Sequence, residues 1–382
     1  MTGGDAVREF RIAVDETALE DLRLRLSRTR FPDQLPEGGW GYGFDAEYLR
    51  ELCRYWRDEF DWRSVERTLN SFDHALTVVD DERIQFIHQR SARQDAIPLL
   101  MLHGWPGTVL EFHKVIRGLT DPDPGKPAFH VVAPSLPGFA WSGPTRSHGW
   151  NPRRMAASFA ILMSRLGYRR YGIQGTDWGS IIGTELALGQ PDAVSGLHIN
   201  MVLVRPPENG AGPVTNAERL SLEREAAWHA EEMGYDVIQS TKPQTLAAAL
   251  ADSPAGLAAW MVDKYRSWSD CHGDVETRFT RDELLATVTT YWVTQTVASS
   301  MRLYLEHSKM TPRYGCDGLR VEVPTACAIF PVELYHPPRS WVDARYNVVR
   351  WTDFPEGGHF PALEEPEALL SDVRAFFGAV RP

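Results

Sequence analysis

Cysteine is scarce in this sequence: Cys53, Cys271, Cys316 and Cys327 are scattered without a CxxC pair, so neither a zinc site nor a disulfide framework is expected. Positive charge is short as well. Lys and Arg number 40 against 51 Asp and Glu, and the net charge of -11, with no long basic run, argues against nucleic acid as a partner. Long apolar runs are also missing. Nowhere do the roughly 18 to 20 uninterrupted apolar residues of a membrane span occur, and Met1-Thr2-Gly3-Gly4-Asp5 lacks the basic start and apolar run of a signal peptide. These absences predict a protein free of membranes, in a reducing cytoplasm, acting on something small and neutral. A chain of 382 residues accommodates two domains, or one large α/β domain with insertions.

What is present centres on Gly175-Thr176-Asp177-Trp178-Gly179. The apolar stretch 171–174 runs into it and residues 180–188 leave it with helical character, giving strand, sharp turn, helix. Two glycines flank one reactive side chain, as in the nucleophile elbow of α/β-hydrolases. The usual serine is Asp177, and that changes the chemistry. Serine attacking a saturated carbon would give an ether with no route back to free enzyme, whereas a carboxylate gives an ester that water can cleave. With a reference pKa of about 3.9, aspartate is already an anion near neutral pH. An elbow aspartate therefore predicts displacement at an sp³ carbon followed by ester hydrolysis.

The rest of the chain is built around that turn. Asp15 caps a helix whose Leu19, Leu22 and Leu26 share a face, with Arg23, Arg25 and Arg28 on its solvated side until Phe31-Pro32-Asp33 stops it. A second helix over 45–60 carries Tyr48, Leu52, Tyr55 and Trp56, with Trp62 beyond, an aromatic stripe that calls for a partner surface. Residues 74–79 and 83–89 read as a hairpin and 97–102 as a buried strand delivering His103-Gly104-Trp105-Pro106-Gly107. A helix over 109–118, a strand over 129–133, a helix over 151–166 and, after the elbow, a strand over 194–200 continue the alternation of a largely parallel sheet. From Arg205-Pro206-Pro207 to about Leu319 it fails: 218–233, 244–251, 256–268 and 282–305 are helical in character, an insertion placed to cover the strand ends as a lid. Strands at 323–330 and 346–351 and a helix over 366–377 close the chain. The expected divisions are an N-terminal helical extension at 1–72, core at 73–204, lid at 205–320 and core again at 321–382.

In such a fold the acid and the histidine follow the nucleophile, each just past a late strand. Glu333, in Phe330-Pro331-Val332-Glu333-Leu334, and His359, in the flexible-looking loop Gly357-Gly358-His359-Phe360, stand where that order requires them, with Asp343 and Asp353 as rival acids. Glu333 would orient the imidazole, whose other nitrogen takes a proton from water. The backbone N–H groups of Trp105 and Trp178 would form the oxyanion hole.

These motifs, with Glu364-Glu365-Pro366 beyond the histidine, resemble the microsomal-type epoxide hydrolases. The resemblance runs over nearly the whole chain, including Tyr55-Trp56-Arg57-Asp58-Glu59-Phe60-Asp61-Trp62-Arg63, Thr241-Lys242-Pro243 and Asp252-Ser253-Pro254-Ala255-Gly256-Leu257-Ala258. Thr176 departs from it, standing where the family often has glycine, and the membrane anchor of some relatives is missing. The family implies an α/β-hydrolase fold with a helical lid, no cofactor or metal, and two lid tyrosines on the epoxide oxygen. The matching positions are Tyr235 and Tyr304, with Tyr265 and Tyr291 as substitutes. The chemistry agrees, because an epoxide leaves as an alkoxide and needs a proton donor.

The expectation is a cofactor-free epoxide hydrolase for a bulky apolar or aromatic epoxide, free or as a homodimer. A hydrolytic dehalogenase would share Asp177 and His359 but needs no tyrosine, since halide leaves unprotonated. A non-catalytic ligand-binding relative could dispense with part of the set.

Overall fold

The computed structural model describes residues 6–206, 215–311 and 319–380. The start read above for a signal peptide, Pro207 and Cys316 lie outside them. Strand β1 (Arg8–Glu9) precedes helices α1 (Glu16–Ser27), α2 (Ala46–Asp58) and α3 (Trp62–Leu69). Then come β2 (His74–Val79), β3 (Glu82–Gln89), β4 (Ile97–Leu102), α4 (Ile116–Thr120), β5 (Phe129–Pro134), α5 (Pro152–Arg165), β6 (Tyr171–Gly175), α6 (Trp178–Gly189) and β7 (Val194–Ile199). Six helices follow: α7 (Asn216–Glu232), α8 (Gly234–Thr241), α9 (Pro243–Leu250), α10 (Pro254–Ser267), α11 (Arg281–Thr294) and α12 (Val297–Ser308). The chain ends through β8 (Val321–Ile329), α13 (Arg339–Arg345), β9 (Tyr346–Asp353), α14 (Pro361–Glu364) and α15 (Pro366–Ala379).

Among the described residues the strands form one sheet in the order β1-β2-β3-β5-β4-β6-β7-β8-β9. Pairing is antiparallel from β1 through β3 to β5 and parallel from β5 to β9. The central strands are covered on both faces, which is why β4, β6 and β7 are nearly continuous runs of buried residues. From β4 the chain goes to β5 on one side, then crosses to β6 on the other. That reversal opens a crevice at the strand ends, the usual ligand position in an open α/β sheet. Leu102 of β4 lies in register with Gly175 of β6, so the turn after β4 and the elbow meet there.

The N-terminal helices form as expected. Asp15 accepts from the Thr17 N–H, Asp45 caps α2 in the same way, and Leu19, Leu22 and Leu26 are buried. The aromatic stripe of α2 finds its partner in the helical insertion: the Trp56 indole donates to Thr289 Oγ1 at 2.9 Å inside the core, and the Tyr55 hydroxyl donates to Asp282 at 2.9 Å. Arg25 is not simply solvated, since its guanidinium reaches Asp252 at 2.6 Å.

Several boundaries depart from the sequence pattern. The single helix over 282–305 is two, because Gln295 takes a left-handed conformation at φ 54° that caps α11 before α12 sets off in a new direction. Thr294 and Thr296, whose hydroxyls bond each other at 2.8 Å, flank the break. The helix over 109–118 is a 3-10 turn at Val109–Phe112 followed by the short α4. Helices α3, α8 and α13 and edge strand β1 were not legible from periodicity.

Trp56→Ala is expected to cost about 3–5 kcal/mol in urea unfolding, as a cavity-forming change that also leaves Thr289 without its donor. Tyr55→Phe, which breaks a solvent-exposed bond, should cost less than about 1 kcal/mol.

Candidate active site

Asp177 sits between β6 and α6 at φ 50°, ψ -126°, a region that a residue with a Cβ enters only under constraint. The surrounding glycines explain how it is held. A Cβ on Gly179 would lie 1.9 Å from the Leu102 carbonyl oxygen, and one on Gly175 would lie 2.4 Å from that of Gly179. The elbow can thus press against β4. A Cβ on Gly104 would overlap the Asp177 carboxylate at 1.9 Å, so the turn after β4 must be bare there as well. That close approach lets the Trp105 N–H donate to Asp177 Oδ1 at 2.7 Å. Trp178 opens α6, and its N–H, like others in a first helical turn, has no intrahelical acceptor.

The second carboxylate oxygen, Oδ2, lies 3.2 Å from His359 Nε2, while His359 Nδ1 lies 2.6 Å from Glu333 Oε1. Glu333 is further held by the Leu334 N–H at 2.7 Å and by Asn200 Nδ2 at 3.0 Å. The other acids stand elsewhere: Asp343 pairs with Arg339, and Asp353 accepts from the Trp351 indole. All three groups of the row are buried. Burial alone would discharge His359, but the Glu333 and Asp177 carboxylates outweigh it and hold the imidazole well above its ordinary range. Burial likewise opposes the Glu333 charge, yet His359 and the donors from Leu334 and Asn200 bring its pKa below the usual carboxylate value.

The glycines before His359 read as a flexible hinge in the sequence, and their reason is different. Gly357 has φ 99° and donates to Asp270 at 3.0 Å; a Cβ on Gly358 would lie 2.6 Å from the Trp268 carbonyl oxygen. That carbonyl accepts the His359 N–H at 2.9 Å, and Glu364 bonds the N–H groups of Phe360 and Asp270, both at 2.9 Å. The loop is packed tight against the end of α10.

Tyr235, on α8, and Tyr304, on α12, face each other over the elbow with ring centroids 5.8 Å apart. Trp105 stacks on Tyr235 at 5.4 Å, and Trp178 meets Tyr304 edge-on at 4.7 Å. Both line a cavity of about 60 Å³ with Asp177, where Ile181, Met201, Leu203, Met233 and Leu334 supply apolar wall and Asp236 and His307 polar wall. Burial raises both phenols well above the ordinary tyrosine value, and the Asp177 charge adds to this, so both are protonated at rest. Tyr265 and Tyr291 lie outside that cavity: Tyr265 stacks on Phe360 at 4.4 Å, and the Tyr291 hydroxyl donates to the Gly107 carbonyl at 2.9 Å.

Two neighbours of the site were missed, and a third, Thr176, stood out only as a departure from the family. Asn200, just past β7, steadies Glu333; Thr176 accepts from Asn200 at 3.3 Å and approaches the His359 carbonyl at 3.5 Å; and Glu111 is buried close by. Asn200 ends an apolar strand, the one signal that could have singled it out.

The fold and this row of groups define an α/β-hydrolase with a carboxylate at its elbow. The chain matches the family model for the alpha/beta hydrolase fold over residues 97–248 and that for the epoxide hydrolase N terminus over residues 7–112. It is 36% identical to epoxide hydrolase 1 of Sus scrofa, over 98% of this chain and 89% of that one. The juvenile hormone epoxide hydrolase of the silkworm Bombyx mori superposes with a TM-score of 0.92 at 32% identity, covering 99% of this chain and 95% of that one. An Aspergillus niger epoxide hydrolase gives 0.88 at 32% identity, covering 99% and 97%. The chain belongs to the epoxide hydrolase family. Among the described residues no single helix is long and apolar enough to cross a membrane.

Gly104→Ala is expected to keep the far-UV circular dichroism of the parent and to lose about 10²-fold or more in turnover, because the methyl drives the carboxylate off the Trp105 N–H. Gly189→Ala, whose methyl meets nothing within 4 Å, is the matched control.

Proposed function

We propose that the protein hydrolyses an epoxide to a vicinal diol through an ester on Asp177. The observation that carries this reading is that the elbow carboxylate and two tyrosines that burial keeps protonated line one cavity. Asp177 attacks a ring carbon from the side opposite the C–O bond, that bond breaks, and Tyr235 and Tyr304 hydrogen-bond the leaving oxygen while one gives it a proton. The proton on His359 then passes to the tyrosinate. Neutral His359, oriented by Glu333, takes a proton from water as the water oxygen bonds the ester carbonyl carbon. The N–H groups of Trp105 and Trp178 hold the oxyanion, an interaction whose loss typically costs about 3–4 kcal/mol of barrier. Collapse expels the diol alkoxide, which takes the His359 proton, and the new carboxylic acid returns its proton to His359.

The helical stretch 205–320 serves as the lid, residues 1–72 brace it, and the two core segments carry the triad. The apolar wall supports an apolar substrate. A cytoplasmic location fits the free buried cysteines Cys53, Cys271 and Cys327. Whether the chain acts alone or as a homodimer is read out by sedimentation equilibrium.

Intact mass spectrometry of a His359→Gln variant incubated with styrene oxide tests the reading. A gain equal to the whole epoxide, mapped to the Asp177 peptide, is expected. A butyl adduct from 1-bromobutane with none from epoxides would establish a dehalogenase, and no turnover of either compound by the parent enzyme would leave a binding protein.

Tyr304→Phe and Tyr235→Phe should each slow ester formation by about 10²-fold or more with little effect on ester hydrolysis. Stopped-flow tryptophan fluorescence separates the two steps, and equal loss in both would refute the proton-donor role.

Esterification cancels the Asp177 charge, one of the two that hold His359 charged, so the imidazole pKa falls in the ester. Hydrolysis in single turnover should lose rate about tenfold per unit as pH drops below that lowered value. An NMR titration of free enzyme should give a higher imidazole pKa; equal values would contradict the charge coupling.

A further inference from the structure

Lys264 is a cation set into the protein against one of the two tyrosines. It stands on α10 with its side chain 9% exposed, and its ammonium lies over the Tyr235 ring, 5.4 Å from the centroid, and over the Trp268 ring at 5.9 Å. Two carboxylates keep it charged there, Glu232, the last residue of α7, at 3.0 Å and Asp263 at 2.8 Å. An ammonium so far from water is costly without such partners. Tyr235 lines two spaces: the small cavity that holds Asp177, and a second cleft of about 400 Å³ that it shares with Lys264, Glu232 and Asp263. Lys264 does not line the Asp177 cavity, so any part it has in the reaction passes through the Tyr235 ring.

The two phenols are both buried beside Asp177, but their surroundings differ in charge. The Tyr304 ring meets Trp105, Trp178 and Tyr235, and among the described residues no Lys or Arg lies over it. A phenol that gives its proton to the epoxide oxygen becomes a phenolate whose charge spreads into the ring, in a place where burial and then the Asp177 charge already oppose it. A cation over the ring face is attracted by ring electrons, so it holds the phenolate more strongly than the phenol. Only an interaction that strengthens as the transition state forms speeds the step, and this one does. Glu232 and Asp263 oppose it, but their side chains are 27% exposed against 9% for the lysine, so water screens them more. The Ser267 hydroxyl also donates to Glu232, at 3.0 Å.

We infer that Lys264 makes Tyr235, and not Tyr304, the phenol that gives up its proton, its ammonium stabilising the tyrosinate through the ring face. This rests on the epoxide hydrolase reading. As an Asp177 oxygen bonds the ring carbon and the epoxide C–O bond breaks, the Tyr235 proton moves to the leaving oxygen, and His359 later returns one to Tyr235. Tyr304 keeps its proton and holds the same oxygen by a hydrogen bond. Lys264 neither gains nor loses a proton and does not touch the substrate, so it is a positioning residue.

The test follows ester formation and ester hydrolysis separately, with styrene oxide in single turnover and acid-quenched intact mass spectrometry. Lys264→Met should slow ester formation about tenfold. Hydrolysis should stay at or above the parent rate, since a less stabilised tyrosinate takes the His359 proton more readily. Lys264→Arg, which keeps the charge, should restore most of the lost rate. The deciding comparison places Lys264→Met in two backgrounds. With Tyr235→Phe, which has no proton to give, the methionine should add less than about twofold, whereas with Tyr304→Phe the full factor of about ten should remain. Should Lys264→Met fail to fold, Lys264→Gln, polar and uncharged, decides by the same comparison. Losses of equal size in the two backgrounds, an equal fall of both steps, or an arginine variant no better than methionine would overturn the inference. A parent enzyme that forms no ester would overturn the hydrolase reading itself, which equal losses in the two backgrounds would not.

Discussion

Every group in the site depends on one steric constraint, the close approach of the elbow to the end of β4. Asp177 is held at positive φ, a conformation that costs a residue with a Cβ about 1–3 kcal/mol and persists only where its surroundings over-determine it. They do so here through backbone contact. Gly179 lies against the Leu102 carbonyl and Gly104 against the Asp177 carboxylate, with no space for a methyl at either. Parallel pairing of β4 with β6 sets this distance, so the register of two buried strands fixes the nucleophile.

The same approach brings charges together inside the protein. Glu333, His359 and Asp177 form a row of carboxylate, imidazole and carboxylate, all buried. Such a row is tolerable only when its lone pairs are occupied, because removing charges from water is expensive. Glu333 meets this with Leu334 and Asn200, and Asp177 with the Trp105 N–H. Thr176 ties the elbow to Asn200 and lies near the His359 carbonyl, which gives the departure from glycine a structural use. The helical insertion belongs to this arrangement too. The Trp268 carbonyl, just past α10, holds the histidine loop, and α8 and α12 carry the tyrosines, so insertion and core share one set of contacts.

Much of this is legible in the sequence. The alternation of strands with helices, the position of the elbow and the late loops carrying Glu333 and His359 are local patterns in the chain, and they recover the parallel sheet, the row of Asp177, His359 and Glu333, and the placing of Tyr235 and Tyr304 with Asp177 at one cavity. What was not legible is mostly long-range. No periodicity shows that Gln295 turns left-handed and splits a 24-residue helical pattern into α11 and α12, yet that break sets the direction of Tyr304. The stretch holding Tyr235 is short and amphipathic, too brief to announce α8. Asn200, Thr176 and Glu111 acquire meaning only when β7, the elbow and the turn after β4 converge. The glycines at 357 and 358 suggested freedom in the sequence, whereas packing makes them points of close contact.

In the proposed mechanism, proton accounting gives a reason for the two tyrosines to lie beside the row of Asp177, His359 and Glu333. At rest His359 is charged because two carboxylates face it, and a charged imidazole is no base. In the proposed cycle, opening the epoxide would correct both halves of the problem in one event: Asp177 would become a neutral ester, which weakens the hold on the imidazole proton, and a tyrosine would become an anion that needs one. Transfer from imidazolium to tyrosinate would leave both neutral, with the base ready for water and the phenol ready for the next epoxide. Two separate sites would each bury an unpaired charge between steps, the condition a low-dielectric interior penalises most. On that proposal the elbow, the late-loop histidine and the two tyrosines are one electrostatic unit, which the alkylation of a single carboxylate would switch from nucleophilic attack to hydrolysis.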